Sequence, residues 1–160
     1  SVFNGISQGA QPLISRFYGE GSKNAEKVLK LAVATALAAA AIIVSAVMLF
    51  AEQLTAIFNS ENSAQLAQYA VGGMRLYFIG YIFAGFNIVG AGYLSAVDRA
   101  VPAFAAAISR GFAAIIAFAF LLSVLFRLNG VWLAFPAAEL FTAALTLIFI
   151  LKRKRTENAI

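Results

Sequence analysis

Hydrophobic and polar positions in this chain alternate in long blocks, without the strict period of two that marks exposed strands. Leu31–Ala51 is 21 residues without a charge, and Leu76–Val97 is 22. Ala100–Phe126 is 27 residues interrupted only by Arg110, and Leu128–Leu151 is 24 interrupted only by Glu139. A helix crossing the hydrocarbon core of a bilayer needs about 20 largely apolar residues at about 1.5 Å per residue. Each block therefore predicts one spanning helix, and each is too long for the strand of an outer-membrane barrel. Ser1–Ser15 is uncharged but only 15 residues long, which predicts a spanning helix without its beginning. The pattern as a whole predicts helices over about 1–18, 24–58, 63–97, 100–126 and 129–152, with a basic tail over 152–160. The expected fold is an all-α integral membrane bundle of four complete transmembrane helices plus one partial N-terminal helix.

The polar segments fit as short connections. Gly19–Asn24 is rich in turn formers, and Asn59–Ser63 offers Ser60 or Ser63 as an N-cap. Asp98-Arg99 makes a tight third connection, with Pro102 in the first turn of the following helix, and Arg127–Gly130 is the expected fourth.

Composition agrees and closes off other classes. Hydrophobic residues make up 62% of the 160 and charged residues 12%, against roughly 45–50% and 25% in ordinary globular chains. With no Cys and no His, disulfides, thiolate metal sites and the commonest general base are excluded. The seven acids are too scattered to suggest a metal cluster, so neither a metal nor an organic cofactor is expected, and an enzyme is disfavoured. The chain starts at Ser1, inside an apolar stretch with no charged region before it; this is unlike a secretory signal and suggests a portion of a longer protein.

The net charge of +5 would suggest nucleic acid in a soluble protein; here its distribution reads as topology. Cations in short loops favour the cytoplasmic side. Arg16, Lys23, Lys27, Lys30, Arg99, Arg110, Lys152, Arg153, Lys154 and Arg155 fall towards one side, and only Arg75 and Arg127 towards the other. The first loop and the C-terminus are thus expected in the cytoplasm. The tail itself reads as a stop-transfer anchor or as a binder of anionic lipid.

Two charges sit where lipid penalises them. Glu139 lies about 18 Å from the end of its helix if Leu151 marks that end, near mid-bilayer. Such a carboxyl either faces a cavity or fixes helix packing through hydrogen bonds. Arg110, about 12 Å beyond Pro102, either lines a cavity or snorkels to the interface. If the hairpin between their helices turns near Leu128–Asn129, the two are offset by about 12 Å along the axes, which argues against a direct ion pair. Gly5-x-x-x-Gly9 is a small-residue packing motif, and Pro12 permits a bend in the same segment. Gln8, Gln11 and Ser15 add polar groups to it. Six of the twelve glycines, Gly85 among them, fall within Gly72–Gly92, with Tyr77, Tyr81 and Asn87 between them and Tyr93 directly after, a composition for close packing or for an aromatic cavity.

The run Gly5-Ile6-Ser7-Gln8-Gly9-Ala10-Gln11-Pro12-Leu13-Ile14-Ser15, followed by Phe17-Tyr18-Gly19, resembles the second helix of the C-terminal lobe in multidrug and toxic compound extrusion (MATE) transporters. The similarity continues through Met74–Tyr77, Gly85–Asn87 and Gly130–Glu139, which includes Pro136, and covers essentially the whole chain as helices eight to twelve of twelve. Phe17 stands where the family usually has Asn. The resemblance implies two six-helix lobes around a central cavity, exporting cationic or amphipathic drugs and toxins in exchange for protons or sodium from a plasma-membrane location. The partners it implies are the bilayer and the N-terminal lobe of the same protein. Some members hold a cation with a carboxylate on the helix matching Leu76–Val97, and no acid occurs there. On this resemblance Gln11, Tyr81, Asn87, Arg110 and Glu139 are the expected cavity residues, with Gly5, Gly9, Pro12, Gly85 and Pro136 in packing or bending. A lipid-linked oligosaccharide flippase of the same superfamily and a small structural or assembly subunit of the membrane are the alternatives.

Overall fold

The computed structural model describes residues 2–59 and 63–157. The alternative cap Ser60, the acid Glu61, the side chains of Lys154 and Arg155 and the tail beyond residue 157 lie outside the described residues. The chain forms α1 (Val2–Gly19), α2 (Asn24–Phe58), α3 (Ala64–Phe78), α4 (Gly80–Ala96), α5 (Ala100–Ile108), a π-helical turn (Ser109–Ala113), α6 (Ala114–Phe126) and α7 (Leu128–Glu157). Among the described residues, four stretches are long and apolar enough to cross a membrane: Asn24–Phe58, Ala64–Ala96, Ala100–Phe126 and Leu128–Arg153. The shorter α1 packs beside them.

The ends follow local chemistry. Ser63 caps α3, its Oγ accepting from the Leu66 N–H at 3.3 Å. The stretch expected as one helix over 63–97 divides at Ile79. The dihedrals there stay helical (φ −56°, ψ −34°), but the regular ladder lapses and the Ile82 N–H bonds back to the Ile79 carbonyl at 3.4 Å. The expected connection Arg127–Gly130 shrinks to Arg127 alone, at φ 53°. Gly130 already lies in α7, where the Leu122 carbonyl of α6 occupies the space a side chain would need.

Helix α4 lies at the centre, packed against α1, α2, α5 and α7. Small residues let the backbones approach, the usual solution where lipid removes the hydrophobic drive between helices. On α2 the buried stripe is Ala25, Leu29, Ala32, Ala36 and Ala40, while Leu31, Ile42 and Leu49 point outward. On α4, Ala84, Val89, Tyr93 and Leu94 complete the core. At the far end, Arg153 of α7 is buried with its guanidinium 5.1 Å from the ring centroids of both Tyr18 and Tyr93, tying α1, α4 and α7 together. This cation of the basic tail therefore turns into the bundle rather than towards a lipid surface.

The expected Gly5–Gly9 packing does not occur within this chain. No atom stands within 4 Å of a side-chain position on either residue. α1 instead packs through Phe3, Ser7, Ala10 and Ile14, which share the opposite face. Pro12 sits inside α1 without breaking it. It leaves the Gln8 carbonyl without its helical donor. Gly85 receives the Phe3 ring, and Gly80 leaves no room for a side chain against Phe135 and Pro136, so α4 and α7 cross closely there.

Candidate functional site: a buried ion pair beside a polar cavity

Glu139 is 1% exposed in the middle of α7. An isolated charge there is prohibitive, so its partners define the site. Asn87 of α4, equally buried, uses its Nδ2 twice, donating to Glu139 Oε2 at 2.7 Å and to the Glu139 main-chain carbonyl at 2.8 Å. Arg110 of the π-helical turn donates from Nη1 to Glu139 Oε1 at 3.2 Å. The expectation that these two residues stand too far apart is thus corrected. Moving the turn to Arg127 cuts the axial offset to about 7 Å, and the π turn fits an extra residue into the helix on the Arg110 side. The long arginine side chain spans what remains. Arg110 does not snorkel away; its side chain is one-third exposed and lies between the carboxylate and a cavity.

That cavity, of about 430 Å³, lies between α1, α4 and α5. It runs from Asn87 and Arg110 towards Ser95 and Ala100, beside the α4–α5 turn. Its α1 wall carries Asn4, Ser7, Gln8 and Gln11, a polar stripe at helical spacing. Gln11 Nε2 donates to Ser7 Oγ at 3.3 Å, and Ser7 Oγ donates to the Ile88 carbonyl at 3.2 Å. Gly92 makes room for this contact, because any side chain there would overlap Ser7. Among the residues lining the cavity, Arg110 is the one that carries a charge. Its volume falls within the roughly 300–1,000 Å³ of small-molecule pockets.

Of the expected residues, the structure therefore brings Gln11, Asn87 and Arg110 to one cavity, with Glu139 directly behind its wall. Tyr81 stands elsewhere, in an aromatic cluster where it stacks on Phe78 at 4.6 Å and faces Phe3 and Phe135 at 6.0 Å. Tyr77 stacks on Phe135 at 4.3 Å in the same cluster. Besides Ser7, the reasoning from sequence missed three contributors. Ser109 Oγ and Thr142 Oγ1 meet at 3.2 Å one turn beyond the ion pair, and small hydroxyls in helices give no distinctive signal. Asn4, by contrast, was legible as a member of the stripe shared with Gln8 and Gln11.

Comparison with known proteins completes the description. A family model described as MatE matches residues 1–117. An outward-facing conformation of a multidrug resistance MATE family transporter of the MOP superfamily superposes with a TM-score of 0.89 at 17% identity, covering 99% of this chain and 36% of that one. An inward-facing conformation of such a transporter gives 0.85 at 18% identity, covering 92% of this chain and 34% of that one. The chain thus spans about a third of the length of those transporters. No curated protein matches.

Proposed function

The chain belongs to the MatE family, and from that premise we propose that it forms the C-terminal-lobe portion of a secondary active multidrug efflux antiporter. In this reading it sits in the plasma membrane with its C-terminus in the cytoplasm, and the N-terminal lobe of the same protein closes the cavity. The cargo is a cationic or amphipathic compound, exchanged by alternating access without covalent chemistry. The observation that carries the proposal is the buried Glu139, held by Asn87 and Arg110 beside an otherwise uncharged polar cavity. A carboxyl kept at mid-membrane depth is an expensive feature, and here it is the acid placed to exchange protons with a cargo-sized space.

Protons suit this site better than sodium. Both carboxylate oxygens already have partners, and α4 contributes an amide where a second carboxylate would be wanted. The single cation on the cavity wall also suits a drug better than the phosphates of a lipid-linked oligosaccharide. Dye efflux from liposomes holding the complete transporter, driven separately by proton and sodium gradients, tests the proposal. Efflux driven by the proton gradient is expected; efflux driven by neither gradient overturns the antiporter reading.

A further inference from the structure

Resting on the proposed function, we infer that Arg110 is a tethered cation that competes with the cargo: protonation of Glu139 releases it into the cavity, and the released charge expels a cationic ligand. The geometry has three parts. First, the guanidinium stands between Glu139 and the cavity, touching the carboxylate through Nη1 while one-third of its side chain is exposed. Arginine carries five N–H donors and stays charged throughout, so the arm brings its full charge wherever it points. Second, the carboxylate is not itself on the cavity wall, so a ligand meets Arg110 before it meets Glu139.

Third, Asn87 Oδ1 is buried with no hydrogen-bond partner among the described residues, although Nδ2 of the same amide is used twice. An unsatisfied buried acceptor is costly. A protonated Glu139 carries the O–H donor that this acceptor lacks. The amide serves both states of the acid by turning over about its Cβ–Cγ bond: Nδ2 donates to the carboxylate, and Oδ1 accepts from the carboxylic acid. Outside the ion pair, the cavity that Arg110 lines also holds the side-chain amides of Asn4 and Gln8, whose oxygens are acceptors for a guanidinium. One-third of the Arg110 side chain is exposed and it lines the cavity, which gives the arm space to enter.

Among the described residues, the charged and titratable groups around Glu139 are few. Arg110 comes from the π turn, and the Tyr77 phenol of α3 is near enough to interact with the acid. α4 offers the neutral Asn87. With Glu139 ionised the pair is neutral and a cation is accepted; with Glu139 protonated the pair carries one positive charge and a cation is repelled. By linkage, a bound cation hinders protonation by the same factor, which is the competition exchange requires.

Three probes of one shape test this on the purified complete transporter: 2-naphthamidine (cationic), 2-naphthamide (neutral) and 2-naphthoate (anionic), titrated by calorimetry between about pH 5.5 and 8.5. In the natural protein, naphthamidine affinity should fall on acidification by up to about tenfold per pH unit, the limit for one linked proton. Naphthoate affinity should rise and naphthamide affinity should stay flat. Glu139→Gln should reverse the preference at every pH, gaining naphthoate and losing naphthamidine by about tenfold or more, because Arg110 is then permanently free. The double variant Glu139→Gln with Arg110→Gln should show neither preference nor pH dependence. Naphthamide binding reports intact folding in both variants. Loss of naphthamidine without any gain of naphthoate in Glu139→Gln would mean that the cation binds the carboxylate directly, and overturns the inference. A flat pH response in the natural protein overturns it without any variant. Proton-driven efflux in liposomes is read separately, so the antiporter can stand while this mechanism fails.

Discussion

Asn87 holds Glu139 by both its carboxylate and its main-chain carbonyl, so its loss separates packing from charge. Asn87→Ala removes two donors from buried acceptors and should destabilise the protein by about 1–3 kcal/mol, read as a lower melting temperature in detergent. Asn87→Asp should cost more, since it places a second carboxyl against Glu139. A larger melting-temperature drop for the alanine variant than for the aspartate variant would contradict the contacts described. At this scale the sequence was legible where chemistry is out of place: one acid and one arginine within apolar blocks, and an amide between glycines. What joins them was not legible. The ion pair depends on a turn at Arg127 and on a π turn at Ser109–Ala113, and neither follows from hydropathy, which carries no information on register between two helices. The displacement of Tyr81 into an aromatic cluster has the same origin, because periodicity gives a face without saying which neighbour covers it.

Helices meet in this bundle where side chains are missing, which makes glycine the sharpest probe of an element's surroundings. Gly92→Ala places a methyl group into Ser7 and should cost about 1–3 kcal/mol through overpacking between α1 and α4. Gly72→Ala meets open space and should be neutral or stabilising by up to about 1 kcal/mol from helix propensity. Equal melting temperatures for the two variants would disprove the α1–α4 contact. Element existence was legible here because each apolar block is the length of a bilayer crossing. The face used by each helix was less so. The Gly5–Gly9 motif suggested a contact, yet the larger residues Phe3, Ser7, Ala10 and Ile14 make it. The non-helical Phe50 inside α2 has neither Pro nor Gly beside it, so nothing in the local sequence marks it.

For the whole molecule, topology and exchange are the claims to test. This stretch has no cysteine, so single cysteines placed in it report accessibility in a complete transporter whose other cysteines have been replaced. Cysteine at Asn59 or Asn129 should react with an impermeant maleimide added outside intact cells, and cysteine at Gly21 or Arg99 only after permeabilisation. The reverse pattern would invert the orientation drawn from the cations. The all-α bundle was legible from block lengths alone, whereas the cavity was not, because it arises from three helices whose mutual rotation the sequence does not state. The same fold occurs in an outward-facing and an inward-facing MATE family transporter. The central claim is that Glu139 couples protons to cargo, and proteoliposomes holding the complete transporter test it most directly. Ethidium movement is recorded on imposing a pH gradient, for the natural protein and for Glu139→Gln at equal protein density. The account predicts gradient-driven movement that falls about tenfold or more in the variant, the loss expected when an essential proton-transfer group is removed. Movement at the natural rate in Glu139→Gln would remove this carboxyl from the mechanism.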